Sequence, residues 1–173
     1  MSKGFKAICQ ITVFSLLGTL MYLSKMVMEP FPNIHILALL IIVYTIVYRW
    51  RAIFSIAVFV MLTGLLGGFG TWWVPYLYIW LPLWGVTLIL PKNMPKKVAV
   101  PIYMLIGLLH GLLYGTMYAP FQALMFGLDL KGTIAWIISG LPWDLVHGIG
   151  NLLSCTLVLP LAIPLKKISA RFI

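Results

Sequence analysis

Long apolar runs, parted by short breaks of charge, proline or glycine, divide the chain into six predicted helical spans. The first, Ala7–Val27, stops at Met28-Glu29-Pro30-Phe31-Pro32-Asn33, where two prolines cannot continue a helix. A short second span, Ile34–Tyr48, ends at Arg49-Trp50-Arg51. The third, Ala52–Gly68, ends in the glycine turn Gly67-Gly68-Phe69-Gly70-Thr71. The fourth, Trp72–Leu90, is aromatic at its start and closed by Pro91. A basic loop through Lys92, Lys96 and Lys97 leads to the fifth, Val98–Tyr118. Residues 119–141 hold Gln122, Asp129 and Lys131 and several glycines. That stretch is too polar for a seventh span and is expected as a lid or one or two short interfacial helices. The sixth span, Pro142–Ile163, opens on a proline suited to the first helical position.

Composition turns these runs into membrane spans. Of 173 residues, 62% are hydrophobic and 9% charged, against about half and about a quarter in soluble domains. An ordinary soluble enzyme, a disordered chain and a disulfide-stapled module are excluded. Each span needs about 20 apolar residues, so the expected fold is an all-α integral membrane protein, a compact bundle of six transmembrane helices forming a single membrane domain. Lys25 closes the first apolar run with no A-x-A-like cleavage site, so a retained span is expected. The lone Cys9 and Cys155 read as reduced, buried small hydrophobes.

The net charge of +9 then sets orientation. With the N-terminus inside, Lys3, Lys6, Arg49, Arg51, Lys92, Lys96, Lys97, Lys166, Lys167 and Arg171 all fall inside, and only Lys25 and Lys131 outside. The positive-inside rule therefore places both termini in the cytoplasm. Loop 28–33, turn 67–73 and stretch 119–141 are expected outside. No basic patch interleaves with aromatics in a polar segment, so nucleic acid is not an expected partner.

An ionisable group within a span is a functional candidate, because burying it in lipid is costly. The sixth span reads Pro142-Trp143-Asp144-Leu145-Val146-His147-Gly148-Ile149-Gly150-Asn151, and helical spacing puts Asp144, His147 and Asn151 on one face. Two readings stand side by side. In one, this is a structural network: Asp144 caps its own helix and pairs with His147, and Asn151 bonds a neighbouring helix. In the other, it is a polar stripe facing a ligand. A metal is not expected, since two ligands at helical spacing do not make a zinc site and nothing in the sequence brings His35 or His110 close. Tyr76, Trp80 and Trp84 form a second candidate, a column suited to helix packing or to stacking on a flat ring. His35 and Gln122 are rim candidates. Gly107, Gly111 and Gly115 repeat G-x-x-x-G and make a groove for close helix approach, with His110, a further substrate-binding candidate, beside them. Ser15, Gly18 and Thr19 form a weaker small-residue face that could dock a partner helix. There is no Walker A loop, dinucleotide fingerprint, G-x-S-x-G or HExxH, and no motif calls for a cofactor.

Six short spans and the P-x-D-x-x-H-x-x-x-N pattern at Pro142, Asp144, His147 and Asn151 resemble the substrate-binding S components of energy-coupling factor (ECF) transporters. Pro32-Asn33-Ile34-His35 and the glycine-aromatic run Gly64–Trp80 are similar to members of the same superfamily. The resemblance implies a prokaryotic plasma-membrane protein that binds a vitamin or related micronutrient from outside. It implies two further kinds of partner, a transmembrane coupling subunit and two ATPase subunits, with toppling in the membrane releasing the substrate. It also implies a gate in the loop Glu29, Pro30, Phe31, Pro32 and Asn33. In span 1, Ser15 and Thr19 hold the spacing at which family members often carry a docking A-x-x-x-A. Substrates of the family run from thiamine and biotin to riboflavin, folate, pantothenate and cobalamin. Two alternatives remain: a structural partner that binds other helices through Gly107, Gly111 and Gly115, and a membrane enzyme using Asp144 and His147 as acid and base.

Overall fold

A computed structural model describes residues 2–170. It is all-helical, with no strand among the described residues. Among the described residues, five stretches are long and apolar enough to cross a membrane: Lys3–Met28, Leu37–Gly67, Thr71–Ile89, Lys96–Phe126 and Leu130–Ser169. Breaks within them give eight α-helices: α1 (Lys3–Met28), α2 (Leu37–Tyr48), α3 (Ala52–Gly67), α4 (Leu81–Ile89), α5 (Lys96–Leu112), α6 (Tyr114–Phe126), α7 (Leu130–Ser154) and α8 (Val158–Ser169). Arg171, counted above among the inside charges, lies outside the described residues.

α2 is the hub. Leu37 to Thr45 are all buried, as is Tyr48, so the helix is covered on every side. A helix apolar all round belongs in the interior rather than at a lipid face. Its 12 residues span only about 18 Å, well short of a bilayer core of about 30 Å. At Arg49 the backbone enters the left-handed region (φ 57°) and a 3-10 turn, Arg49–Arg51, follows. The chain reverses there: His35, before α2, and Phe59, within α3, both meet Trp80, at 6.2 and 5.7 Å between rings. α1 packs along α3, where Gly18 faces Val58 and the Ser55 carbonyl; a Cβ on Gly18 would come within 2.7 Å of that carbonyl.

Three expectations need correction. The predicted fourth span, 72–90, is not one helix. Thr71–Leu77 is a 3-10 segment with Pro75 inside it, and α4 begins only at Leu81. Proline without an N–H favours the tighter winding over a continuous α-helix. Stretch 119–141 is neither a lid nor separate interfacial helices: its residues prolong α6 to Phe126 and open α7 at Leu130. Gly127 ends α6 in the left-handed conformation, and Asp129 caps α7 by accepting from the Gly132 N–H at 2.7 Å. Pro142 therefore lies inside α7 and not at its start. An apolar setting tolerates this because neighbouring helices re-satisfy the freed backbone. The second span also starts late: residues 34–36 belong to the loop, so His35 precedes α2.

The two ends of the bundle differ. At one end lie Arg49, Leu88 and Ser169: the Arg49 guanidinium donates to the Leu88 carbonyl, and Tyr48 shares a 2.6 Å hydrogen bond with Ser169. At the other lie loop 29–35 and the 3-10 segment, where the Tyr118 hydroxyl donates to the Trp72 carbonyl.

Candidate functional site

The site is built on the α5–α6/α7 hairpin. Gly107, Gly111 and Gly115 all face α7. A Cβ on Gly111 would lie 2.6 Å from the Cα of Gly148, and one on Gly107 2.6 Å from the Cys155 sulfur. The glycine repeat thus lets two backbones touch within one chain. At Gly115 the contact becomes polar. The chain is interrupted at Leu113, and α6 restarts at Tyr114 with its first N–H groups unpaired by the helix itself. Asp144, 6% exposed, reaches across from α7 and accepts from the Gly115 N–H at 3.0 and 3.1 Å. The carboxylate sits at the positive end of α6, which offsets the cost of burying a charge.

Above this joint the chain's three histidines converge. His147 lies 4.5 Å from His35 and 6.4 Å from His110, measured between ring centroids. Tyr114 stands edge-on to His147 at 4.7 Å, and Trp80 stacks on His110 at 5.7 Å and 27°. Tyr76 adds a further edge contact to Trp80 at 5.5 Å. His110 is fixed by a 3.0 Å hydrogen bond between its Nε2 and the Ile79 carbonyl. The rest of the cluster is unpaired: both ring nitrogens of His147, both side-chain polar atoms of Asn151, Nδ1 of His35 and of His110, and Nε1 of Trp80 have no hydrogen-bond partner within the protein. His147 is 2% exposed and Asn151 fully buried. Buried polar groups are nearly always paired, so this concentration of free donors and acceptors makes the cluster the candidate binding surface.

Two adjoining cavities open onto this cluster. One of about 190 Å³ lies under loop 29–35, between Lys25, Glu29, Asn33, His35, Tyr76, Tyr114 and His147. The second, about 490 Å³, is walled by Tyr118, Gln122, Trp136, Gly140, Trp143 and Asp144. Pro32, Asn33 and Tyr114 border both. The loop is a run of tight turns, Phe31 N–H to the Met28 carbonyl and Ile34 N–H to the Phe31 carbonyl, with Asn33 at φ 58°. Asparagine tolerates that left-handed geometry better than most residues.

Several sequence expectations change on these observations. Asp144 does not cap its own helix or pair with His147; it caps α6, whose N-terminus is the nearer source of unpaired N–H groups. The Asn151 side chain makes no bond to a neighbouring helix. Trp80, Trp84, His110 and Asn151 line neither cavity; the Trp84 N–H donates to the Trp80 carbonyl at 3.1 Å, so Trp84 stands one helical turn further from the site. Pro30 is exposed and lines neither cavity, whereas Glu29, Phe31, Pro32 and Asn33 all border the first. In the Ser15, Gly18, Thr19 face, Gly18 is covered by α3 of the same chain and Thr19 donates to the Ser15 carbonyl. Gln122 stands at the wall of the larger cavity and His110 behind Trp80. Tyr114, Tyr118, Trp136, Trp143 and Lys25 join the site beyond the residues expected from the sequence. The signal was there for most of them: His110, Tyr114, Tyr118 and Gln122 recur every four residues on one helix face, as do Trp136, Gly140 and Asp144. Among the described residues, no group of His, Cys, Asp or Glu is arranged to hold a metal ion. Comparison with known protein families, curated proteins and solved structures found no match.

Proposed function

We propose that this chain is the substrate-binding S component of an ECF-type importer in a prokaryotic plasma membrane. It captures a small micronutrient on the loop 29–35 side and passes it to a coupling subunit driven by two ATPase subunits. The chain itself catalyses nothing; ATP hydrolysis belongs to its partners. In this reading the bundle crosses the membrane six times, since the reversal at Arg49 splits Leu37–Gly67 into two crossings, and both termini are cytoplasmic.

The observation that carries the proposal is the chamber. Unpaired ring nitrogens of His147 and His35 line the cavity with Tyr76 and Tyr114 beneath a loop of tight turns, and the unpaired Asn151 and Trp80 side chains lie buried behind them. That chemistry suits an aromatic nitrogen heterocycle: its faces pack on Tyr114 and Tyr76, and its ring nitrogens and substituents meet the histidines. Asp144 and Gln122 extend acceptors to N–H or O–H substituents in the second cavity. Among the described residues, Lys25 is the only lining cation, beside Glu29 at the rim, so the pattern favours a neutral or amine-bearing ring over a polyanion. The helix-partner alternative loses its feature, because the Gly107, Gly111 and Gly115 groove is filled by α7.

Mass spectrometry of small molecules released from gently purified protein tests the proposal. A stoichiometric heterocyclic compound in the wild type, lost from His147→Ala, is the expected result. A protein that stays empty after incubation with a mixture of vitamins, while still folded, would overturn it.

A further inference from the structure

The end of the bundle opposite the chamber holds a cavity that the transport reading does not use. It measures about 550 Å³ and is lined by Val47, Tyr48, Arg49, Trp50, Arg51, Leu88 and Lys92. Three of these residues are cations and none is acidic. The chain has three acids in all: Glu29 borders the chamber cavity at the far end, Asp129 caps α7 in the α6–α7 turn, and Asp144 caps α6. Among the described residues, the cations therefore have no carboxylate side chain to answer them. Their placement is built into the fold. The left-handed Arg49 backbone and the 3-10 turn present Arg49, Trp50 and Arg51 together, with the Arg49 guanidinium anchored on the Leu88 carbonyl and Arg51 stacked over the Trp50 ring at 5.8 Å.

We infer that this cavity is a binding site for the phosphate headgroup of an anionic phospholipid. Arg and Lys supply the charge-assisted donors a phosphodiester needs. Two features favour a lipid over free phosphate. Trp50 is exposed and packs edge-on to exposed Phe54 at 5.7 Å, an aromatic pair of the kind that settles at headgroup depth. Beside the cavity, α3 and α4 both pack on α2 but make few contacts with each other. Between them lies a separate, largely apolar cavity lined by Ile53, Ile56, Val60, Tyr76, Trp80 and Leu81; Ile53 is two residues beyond Arg51, and the cavity suits an acyl chain.

The test is thermal unfolding of the full-length protein reconstituted in nanodiscs of phosphatidylcholine alone or with one-third phosphatidylglycerol. Native mass spectrometry of retained lipid accompanies it. Phosphatidylglycerol is expected to raise the melting temperature and to be retained in preference to phosphatidylcholine. Inorganic phosphate added to phosphatidylcholine discs should do neither. Arg51→Gln and Lys92→Gln should each lower retention about fivefold, whereas Lys96→Gln and Lys97→Gln, outside the cavity, should not. Equal behaviour in the two lipids overturns the proposal and leaves the cavity to an acidic partner segment. Equal loss in all four variants also overturns it, in favour of diffuse attraction to a charged surface. A matching rise with inorganic phosphate overturns the lipid assignment. Should the variants not fold, lipid retention by the wild type alone decides.

Discussion

His147 is the residue on which the site turns. Its ring is 2% exposed, touches both His35 and Tyr114, and has neither nitrogen paired. A histidine kept only for packing would be replaceable by an apolar ring of similar size. The binding reading predicts the opposite: His147→Phe should fold, keep or raise its melting temperature, and lose about tenfold or more in ligand affinity. Calorimetric titration with the compound identified from the wild type measures it. Asp144 makes a different prediction. Asp144→Asn keeps an acceptor for the Gly115 N–H, so its melting temperature should stay near that of the wild type. Asp144→Ala leaves that N–H unpaired in a buried place, at a cost of about 1–3 kcal/mol. The melting temperature should then fall by about 2–4 °C for each kcal/mol. Equal stability of the two variants would show that the α6 cap contributes nothing.

At the scale of the element, the α5–α7 contact is governed by absent side chains. Gly111→Ala would raise helix propensity by about 1 kcal/mol, yet its Cβ would meet backbone atoms of Gly148 at 2.6 Å, and backbone cannot swing aside. Overpacking at about 1–3 kcal/mol should win, so Gly111→Ala is expected to be less thermally stable than the wild type. Gly85→Ala, in α4 with nothing within 4 Å of the added carbon, should be neutral or stabilising. A stable Gly111→Ala would mean the helices stand further apart than described. The same contact marks where the sequence was readable. Helix ends at Pro30 and Pro32, Gly67 and Gly68, and Pro91 and Pro95 carry their own local signal, and so does the small-residue stripe of α5. The shared face of Asp144, His147 and Asn151 follows from spacing alone. The break at Leu113 has no such signal, because Leu113 and Tyr114 are ordinary helix residues. It goes with a carboxylate, Asp144, 29 residues beyond the Gly115 N–H that it accepts from. The approach of His35 and His110 to His147 depends on three elements at once, which no local pattern encodes. In stretch 119–141 the polar residues mask two helix ends whose local signals are the cap residues Gly127 and Asp129.

At the scale of the whole molecule, the two ends are chemically unlike, and that contrast predicts how the proposed importer lies in the membrane. The chamber lies at the end with Glu29 and the 3-10 segment, and the uncompensated cations of Arg49, Arg51 and Lys92 lie at the other. Basic loops resist translocation, so the chamber should open to the outside and the cationic cavity to the cytoplasm. An importer needs that arrangement, and an exporter or a cytoplasmic-facing enzyme would need its inverse. It also requires an even number of crossings, with the reversal at Arg49 acting as a true loop rather than a kink. Single cysteines introduced into a Cys9→Ser background decide both points, since Cys155 is buried. With a membrane-impermeant maleimide on intact cells, Glu29→Cys and Asp129→Cys should label, and Lys92→Cys and Lys167→Cys should label only after permeabilisation. Labelling of Glu29→Cys and Asp129→Cys from opposite sides would rule out six crossings. The pattern fully inverted would keep the bundle but end the import reading, because a substrate from outside could not reach His147.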